Sequence, residues 1–189
     1  MVRNLLEDVL DEREIDAADL TVLDIGAGNG MVGEQLDDLG VGAIVGVDIL
    51  EEAAAAAERD RPGIYDDYHV IDLTDPAPAA HAALSGGGFN CLTSVAALGF
   101  GDMPPAAFAQ AFDYVAPGGL VAFTIKDRFT TPAHDDSGFS GLLNDLYTDG
   151  RIEPIVEHRY RHRLSSSGRP LEYVAYIAEK QGQEAIAQQ

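Results

Sequence analysis

The sequence predicts an α/β fold, a mostly parallel sheet with helices packed on both faces. Three observations point to it. Apolar runs rich in β-branched residues alternate with stretches of helical periodicity. The first of those runs breaks into three glycines at alternate positions. Near the C-terminus the chain alternates strictly, as an antiparallel hairpin does.

The glycine-bearing stretch is Thr21-Val22-Leu23-Asp24-Ile25-Gly26-Ala27-Gly28-Asn29-Gly30. A strand enters a tight turn, and Val32, Leu36 and Leu39 then fall on one face of a helix running to Gly40. That is the opening of a nucleotide-type βαβ unit. Glycines let the backbone turn sharply and let a ligand lie against bare peptide. The helix aims its free N–H groups and positive dipole end at the turn, so an anionic or polar group is expected there. Two ligand classes fit at first sight. Gly28-Asn29-Gly30-Met31-Val32-Gly33 satisfies the dinucleotide pattern G-x-G-x-x-G. The register argues against it, because the first glycine after the strand is Gly26, two residues too early. Asp24 at the strand's end would also repel a pyrophosphate, whereas it would attract a sulfonium or an ammonium.

Composition narrows the class further. A chain of 189 residues is expected to form one domain, 1–189, whose core needs no staples. No apolar run is long enough to span a bilayer. The N-terminus, Met1-Val2-Arg3-Asn4-Leu5-Leu6-Glu7-Asp8, is acidic and amphipathic, unlike a signal peptide. One cysteine rules out a disulfide framework and a cysteine zinc site and fits a reducing cytoplasm; no metal is expected. Thirty-two acids against twelve bases give a net charge of −20. Such a surface repels phosphate backbones, which disfavours nucleic acid as a partner.

In chain order, residues 1–19 carry Leu5, Leu6, Val9 and Leu10 at helical spacing, predicting an amphipathic helix on the sheet edge. After the glycine turn and its helix, Ala43 to Asp48 reads as a strand buried on both faces. Asp48, about twenty residues past the turn, is placed to accept ribose hydroxyls or to cap a helix. Glu51 and Glu52 open the next helix, and Pro62-Gly63 stop it. Tyr68 to Leu73 reads as the third strand, with Asp72 at its end or in the turn that follows. A short helix over Pro76 to Leu84 and three glycines lead to a fourth strand, Phe89 to Val95, in which Cys91 is a buried, inert thiol. Asp102-Met103-Pro104-Pro105 suits a helix start capped by Asp102, with Phe108, Phe112 and Val115 as its buried stripe. Ala116-Pro117-Gly118-Gly119 is a turn that launches the fifth strand, Leu120 to Ile125. Lys126 to Ser137 is a polar loop without hydrophobic period. It leaves the C-terminal end of that strand, so Arg128, Phe129 and His134 are substrate-pocket candidates. Leu142, Leu143, Leu146 and Tyr147 mark a last helix. Ile155 to Arg163 then presents Glu157, Arg159, Arg161 and Arg163 on one face and Val156, His158, Tyr160 and His162 on the other. A charged, solvated sheet edge explains this cluster better than a metal or anion site, since no carboxylate or thiol completes a ligand set. After the turn at Ser166-Ser167-Gly168-Arg169-Pro170, Leu171 to Ala178 returns as a buried strand, and 181–189 is a frayed tail.

Leu23-Asp24 heading Gly26-Ala27-Gly28-Asn29-Gly30, the later Pro117-Gly118-Gly119 turn and the terminal hairpin together resemble the class I (Rossmann-like) S-adenosylmethionine-dependent methyltransferases. The resemblance runs from Val22 to Glu179. Gly63-Ile64-Tyr65-Asp66-Asp67-Tyr68 before Asp72-Leu73 also resembles the small methyltransferase-like proteins of the Williams–Beuren region type. The class I resemblance implies a three-layer sandwich around a seven-stranded sheet of order 3-2-1-4-5-7-6 with strand 7 antiparallel. It implies methyl transfer from S-adenosylmethionine to a small-molecule acceptor, leaving S-adenosylhomocysteine. Carried onto this chain, the cofactor residues are Asp24 (toward the amine), Gly26, Ala27, Gly28, Gly30, Asp48 with Ile49 (ribose), Asp72 with Leu73 (adenine), and Ser94; Phe100 is a candidate against the sulfonium. No residue stands out as a general base, and a homodimer is left open. An NAD(P)-dependent oxidoreductase and a non-catalytic cofactor-binding module are the alternatives.

Overall fold

Period-two alternation sorts the core into two layers, one on each side of a twisted sheet. The computed structural model describes residues 1–99, 103–164, 168 and 170–182. Its strands are β1 (Thr21–Ile25), β2 (Ala43–Asp48), β3 (Asp67–Val70), β4 (Cys91–Ser94), β5 (Leu120–Lys126), β6 (Ile152–Leu164) and β7 (Pro170–Lys180). The helices are α1 (Val2–Glu12), α2 (Met31–Asp37), α3 (Glu51–Asp60), α4 (Pro78–Ser85), α5 (Pro105–Tyr114) and α6 (Phe139–Thr148). Short 3-10 turns stand at Ala17–Asp19 and Asp127–Thr130. The sheet order is β3-β2-β1-β4-β5-β7-β6, as expected. β1 to β5 pair in parallel, and β7 runs antiparallel to both β5 and β6.

One face buries Val22, Ile44, Cys91, Leu120, Ala122, Ala175 and Ile177 against Val2, Leu6, Val9 and Leu10 of α1 and Leu36 of α2. The opposite face buries Leu23, Ile25, Val47, Leu92, Val121, Phe123 and Ile125 against α4, α5 and α6. There the rings of Phe108 and Phe123 meet edge-to-face with centroids 5.2 Å apart, and Phe123 stacks on Tyr176 at 5.0 Å. β5 is buried along its whole length, because both its neighbours and both helical layers cover it. Among the described residues no helix is long and apolar enough to cross a membrane.

Several sequence expectations shift. The amphipathic N-terminal helix lies on the sheet face over β5 and β7, because its apolar stripe is wide enough to cover flat sheet. The helix after the glycine turn ends at Asp37, three residues before Gly40. β3 stops at Val70, so Asp72 stands in the following turn, its Oδ1 accepting from the N–H (2.8 Å) and hydroxyl (2.6 Å) of Thr74. α5 begins at Pro105, with Pro104 in the capping position; Asp102 lies outside the described residues, as do Ser166, Ser167, Arg169 and the tail from 183.

The largest correction concerns the loop after β5. Lys126 belongs to the strand and is almost buried. Phe129, expected at a pocket, is fully buried in the core on a 3-10 turn. Its ring packs on Gly99, where an added Cβ would come within 2.5 Å of it. The segment therefore clamps the β4–α5 connection. Truncating Phe129→Ala should cost about 3–5 kcal/mol of stability, the range for an emptied aromatic site. Urea unfolding checks this, and a loss under about 1 kcal/mol would show that the ring is not a core element.

Candidate active site

The site forms where parallel strands end and helices begin, outside the carboxyl edge of the sheet. At the end of β1 the chain turns through Gly26 (φ 67°), Gly28 (φ 57°) and Gly30 (φ 84°). At Gly26 the need is double. The backbone is left-handed, and a Cβ would lie 2.5 Å from that of Ala97 on the loop leaving β4. The turn is tied to β2, since the N–H groups of Gly26 (2.8 Å) and Ala27 (3.1 Å) both donate to the Val47 carbonyl. Asp48 completes the tie, accepting from Gly28 N (3.0 Å) through Oδ2 and from Leu50 N (3.1 Å) through Oδ1.

Under this turn lies Asp24. It is 1 % exposed, so the carboxylate does not face a ligand as the sequence suggested. The Thr93 hydroxyl donates to Oδ1 (2.7 Å), and the Tyr65 hydroxyl donates to Oδ2 (2.8 Å). Burial lifts its pKa from the ordinary 3.8 to about 6; the two hydrogen bonds pull it back down, and the charge of Asp48 adds a smaller upward push. Tyr68 donates to the Gly28 carbonyl (2.8 Å), and Arg61 donates to the Asn29 carbonyl (3.1 Å) while pairing with Glu34. None of these braces was singled out from the sequence. The available signal was the pair Tyr65, just before β3, and Tyr68, within it, together with Gly33 and Gly46 on the facing helix and strand. A Cβ at Gly33 would lie 2.7 Å from the Tyr65 ring. That third glycine of the apparent dinucleotide pattern thus makes room for a tyrosine.

Two cavities flank the turn. The smaller, about 50 Å³, gathers Gly26, Asp48, Ile49, Asp72 and Leu73, with Met103, Pro104 and Ala107 from the start of α5 closing it. The larger, about 410 Å³, opens on the α1 side and is lined by Val2, Leu6, Met31, Val32, Thr93, Val95 and His162, among others. Ser94 closes β4 between the two strands that flank it, fully buried, and its Oγ lacks a hydrogen-bond partner among the described residues. An orphaned buried hydroxyl costs stability unless something satisfies it; Ser94 lines neither cavity itself. The donor set fits S-adenosylmethionine: small backbone at the turn, a carboxylate at Asp48, an apolar slot between Ile49 and Leu73, and a buried negative charge beneath.

Of the expected substrate residues, Arg128, Phe129 and His134 line neither cavity. Arg128 is exposed, ion-paired to Asp136 (2.6 Å) and stacked on Phe129; His134 lies exposed beyond it. Phe100 lies outside the described residues.

Solved structures share the fold. A SAM-dependent methyltransferase from Methanosarcina mazei superposes with a TM-score of 0.65 at 18% identity, covering 91% of this chain and 97% of that one. The N-methyltransferase NodS from Bradyrhizobium japonicum, in complex with S-adenosyl-L-homocysteine, gives 0.66 at 14% identity over 95% and 85%. Magnesium protoporphyrin IX methyltransferase from Synechocystis, with bound SAM, gives 0.63 at 14% over 94% and 79%. The fold is that of the class I, S-adenosylmethionine-dependent methyltransferases. A family model described as a methyltransferase domain matches residues 2–174, and the chain belongs to that family. No curated protein matches the sequence significantly.

The buried carboxylate yields a signed prediction. Folded Asp24 holds its proton more tightly than the unfolded chain does, so its contribution to stability falls as pH rises from about 4 to above 6. A shift from 3.8 to about 6 corresponds to about 3 kcal/mol. Asp24→Asn, which cannot ionise, should therefore gain stability relative to the parent between pH 4.5 and 7.5. Urea unfolding at the two values reads this difference, and a difference independent of pH would contradict the buried-carboxylate account.

Proposed function

We propose that this methyltransferase acts on a small-molecule acceptor, with the glycine turn and the smaller cavity holding the cofactor and the larger cavity receiving the acceptor. One observation carries the reading. The Gly26 turn, packed on Ala97, stands between an acid-rimmed slot and a roomy apolar one. When bound, S-adenosylmethionine supplies a methyl carbon on a sulfonium, already a good leaving group.

The chain's residues then have distinct tasks. Asp48, whose two oxygens each keep a further lone pair, accepts the ribose hydroxyls. Ile49 and Leu73 enclose the adenine, and Asp72 Oδ2 accepts from its amine, the Thr74 bonds both being on Oδ1. The bare backbone of Gly26, Ala27, Gly28 and Gly30 admits the methionine part. Asp24 acts from below through its charge, which in a dry site favours a cation over a neutral thioether. The apolar walls exclude water and align the acceptor, and alignment supplies much of the rate of a direct displacement. The net charge of −20 argues against nucleic acid as acceptor. The lone buried thiol of Cys91 suits a cytoplasmic setting.

Calorimetry with S-adenosylmethionine, S-adenosylhomocysteine and NAD separates this reading from a dinucleotide enzyme. Both adenosyl ligands should bind and NAD should not; the reverse would overturn it. Asp48→Asn should weaken both adenosyl ligands about tenfold, the loss of a charge-assisted hydrogen bond, and lower the melting temperature by about 2–4 °C, since the amide keeps only one of the two acceptors that tie Gly28 and Leu50. Asp24→Asn should weaken S-adenosylmethionine more than S-adenosylhomocysteine, because only the former is a sulfonium. Equal losses would remove Asp24 from the electrostatics of the site.

A further inference from the structure

The larger cavity has a chemistry of its own. At about 410 Å³ it is the size of a pocket for a drug-sized molecule, and its walls are chiefly apolar: Val2 and Leu6 from α1, Val32 and Leu36 from α2, and Val95 beyond β4. The polar side chains that reach it are those of Arg3, Gln35, Thr93 and His162. Arg3 is engaged by Glu7 one helical turn away, Nη1 to Oε2 at 3.0 Å. Thr93 gives its hydroxyl proton to Asp24. Among the side chains that line it, the one with a basic nitrogen is His162; Met1, whose amine is the chain's N-terminus, stands at the same wall.

His162 reaches the cavity through a break in the ladder. Arg161 pairs with Glu172 and Arg163 with Leu171, so His162 is the extra residue of a β-bulge. A bulge re-aims the side chain it carries and is over-represented beside active sites. The imidazole lies against the Tyr173 ring, centroids 4.5 Å apart, with Tyr160 at 6.1 Å on its other flank. Partial burial of an otherwise exposed ring, and the charges of Arg163 and Lys126, lower its pKa, which leaves it neutral near pH 7, one nitrogen a donor and the other an acceptor. As the alternation suggested, His162 remains exposed to solvent; what the structure adds is the cavity on its inner side.

We propose that His162 is a positioning residue for the methyl acceptor, accepting a hydrogen bond from its nucleophile, and that the acceptor is an apolar molecule bearing a neutral hydroxyl or N–H. This rests on the reading of the adjoining glycine turn as the cofactor site. A carboxylate would be a poor occupant. It would enter an apolar chamber whose arginine is already paired, and it would lie close to the Asp24 charge behind Thr93.

The test uses the full chain saturated with S-adenosylhomocysteine and three probes of one shape: 4-propylphenol, propylbenzene and 4-propylbenzoate. NMR titration should show 4-propylphenol shifting the methyl groups of Val2, Met31 and Val95 and the imidazole of His162. It should bind about fivefold or more tightly than the other two, the worth of one net hydrogen bond. His162→Phe keeps a ring on Tyr173 but no lone pair, and should erase the phenol's advantage without changing S-adenosylhomocysteine affinity. His162→Gln, whose amide oxygen can accept, should restore part of it. Equal binding of phenol and propylbenzene, shifts confined to other surfaces, or an advantage that survives in His162→Phe would overturn the proposal. Calorimetry of the wild-type chain with S-adenosylhomocysteine alone separates the two failures. No heat there overturns the cofactor reading, whereas normal binding with no phenol preference overturns only the role of His162.

Discussion

A carboxylate held out of water beneath a glycine turn is the constraint on which the rest of this site depends. Asp24 continues the buried side of β1, so its charge must be satisfied by protein groups. Thr93 from β4 and Tyr65 from the approach to β3 do this, and each requirement propagates. A tyrosine over the sheet needs space, which Gly33 on α2 and Gly46 on β2 leave for it. Once Tyr65 is seated, Tyr68 stands edge-to-face with it, ring centroids 5.2 Å apart, and reaches the Gly28 carbonyl. The shape of the turn is thus set from below and behind, before any ligand arrives.

Topology explains why binding and chemistry share this edge. In a parallel sheet every strand delivers its C-terminal end to the same side, and the reversal of strand order beside β1 opens a crevice there. β2 brings Asp48 to one side of the turn; β4, α1 and the bulged β6 build the apolar chamber on the other. The antiparallel β7 gives β6 its place at the sheet's edge, and with it the reach that carries His162 over the chamber.

Much of this was legible in the sequence. Glycine spacing after an acid-bearing strand, the Pro117-Gly118-Gly119 turn and the alternating hairpin each have a local cause and gave the elements; the sheet order came from the family that those motifs together resemble. Gly26, Asp48, Ile49, Asp72 and Leu73 gather around one cavity for the same reason: they follow strand ends. What escaped depends on distant partners. Phe129 lies in a polar stretch, and only the gap beside Gly99 makes it a core residue. Asp24 reads as ligand-facing until Tyr65, 41 positions away, takes one of its oxygens. The bulge at His162 leaves the alternation around it intact, so no periodicity betrays it. α1 reads as an edge helix because amphipathicity tells which face is buried but not against what.

The central claim is that a turn braced by a buried carboxylate, and the strand ends beside it, grip an adenosyl thioether. Amide hydrogen exchange of the intact protein with and without S-adenosylhomocysteine tests this most directly. The account predicts added protection concentrated at residues 26–30, 48–50 and 72–73, with little change at β6 or in the 126–137 connection. Unchanged exchange at the turn, or protection of the same residues by NAD and not by S-adenosylhomocysteine, would contradict it.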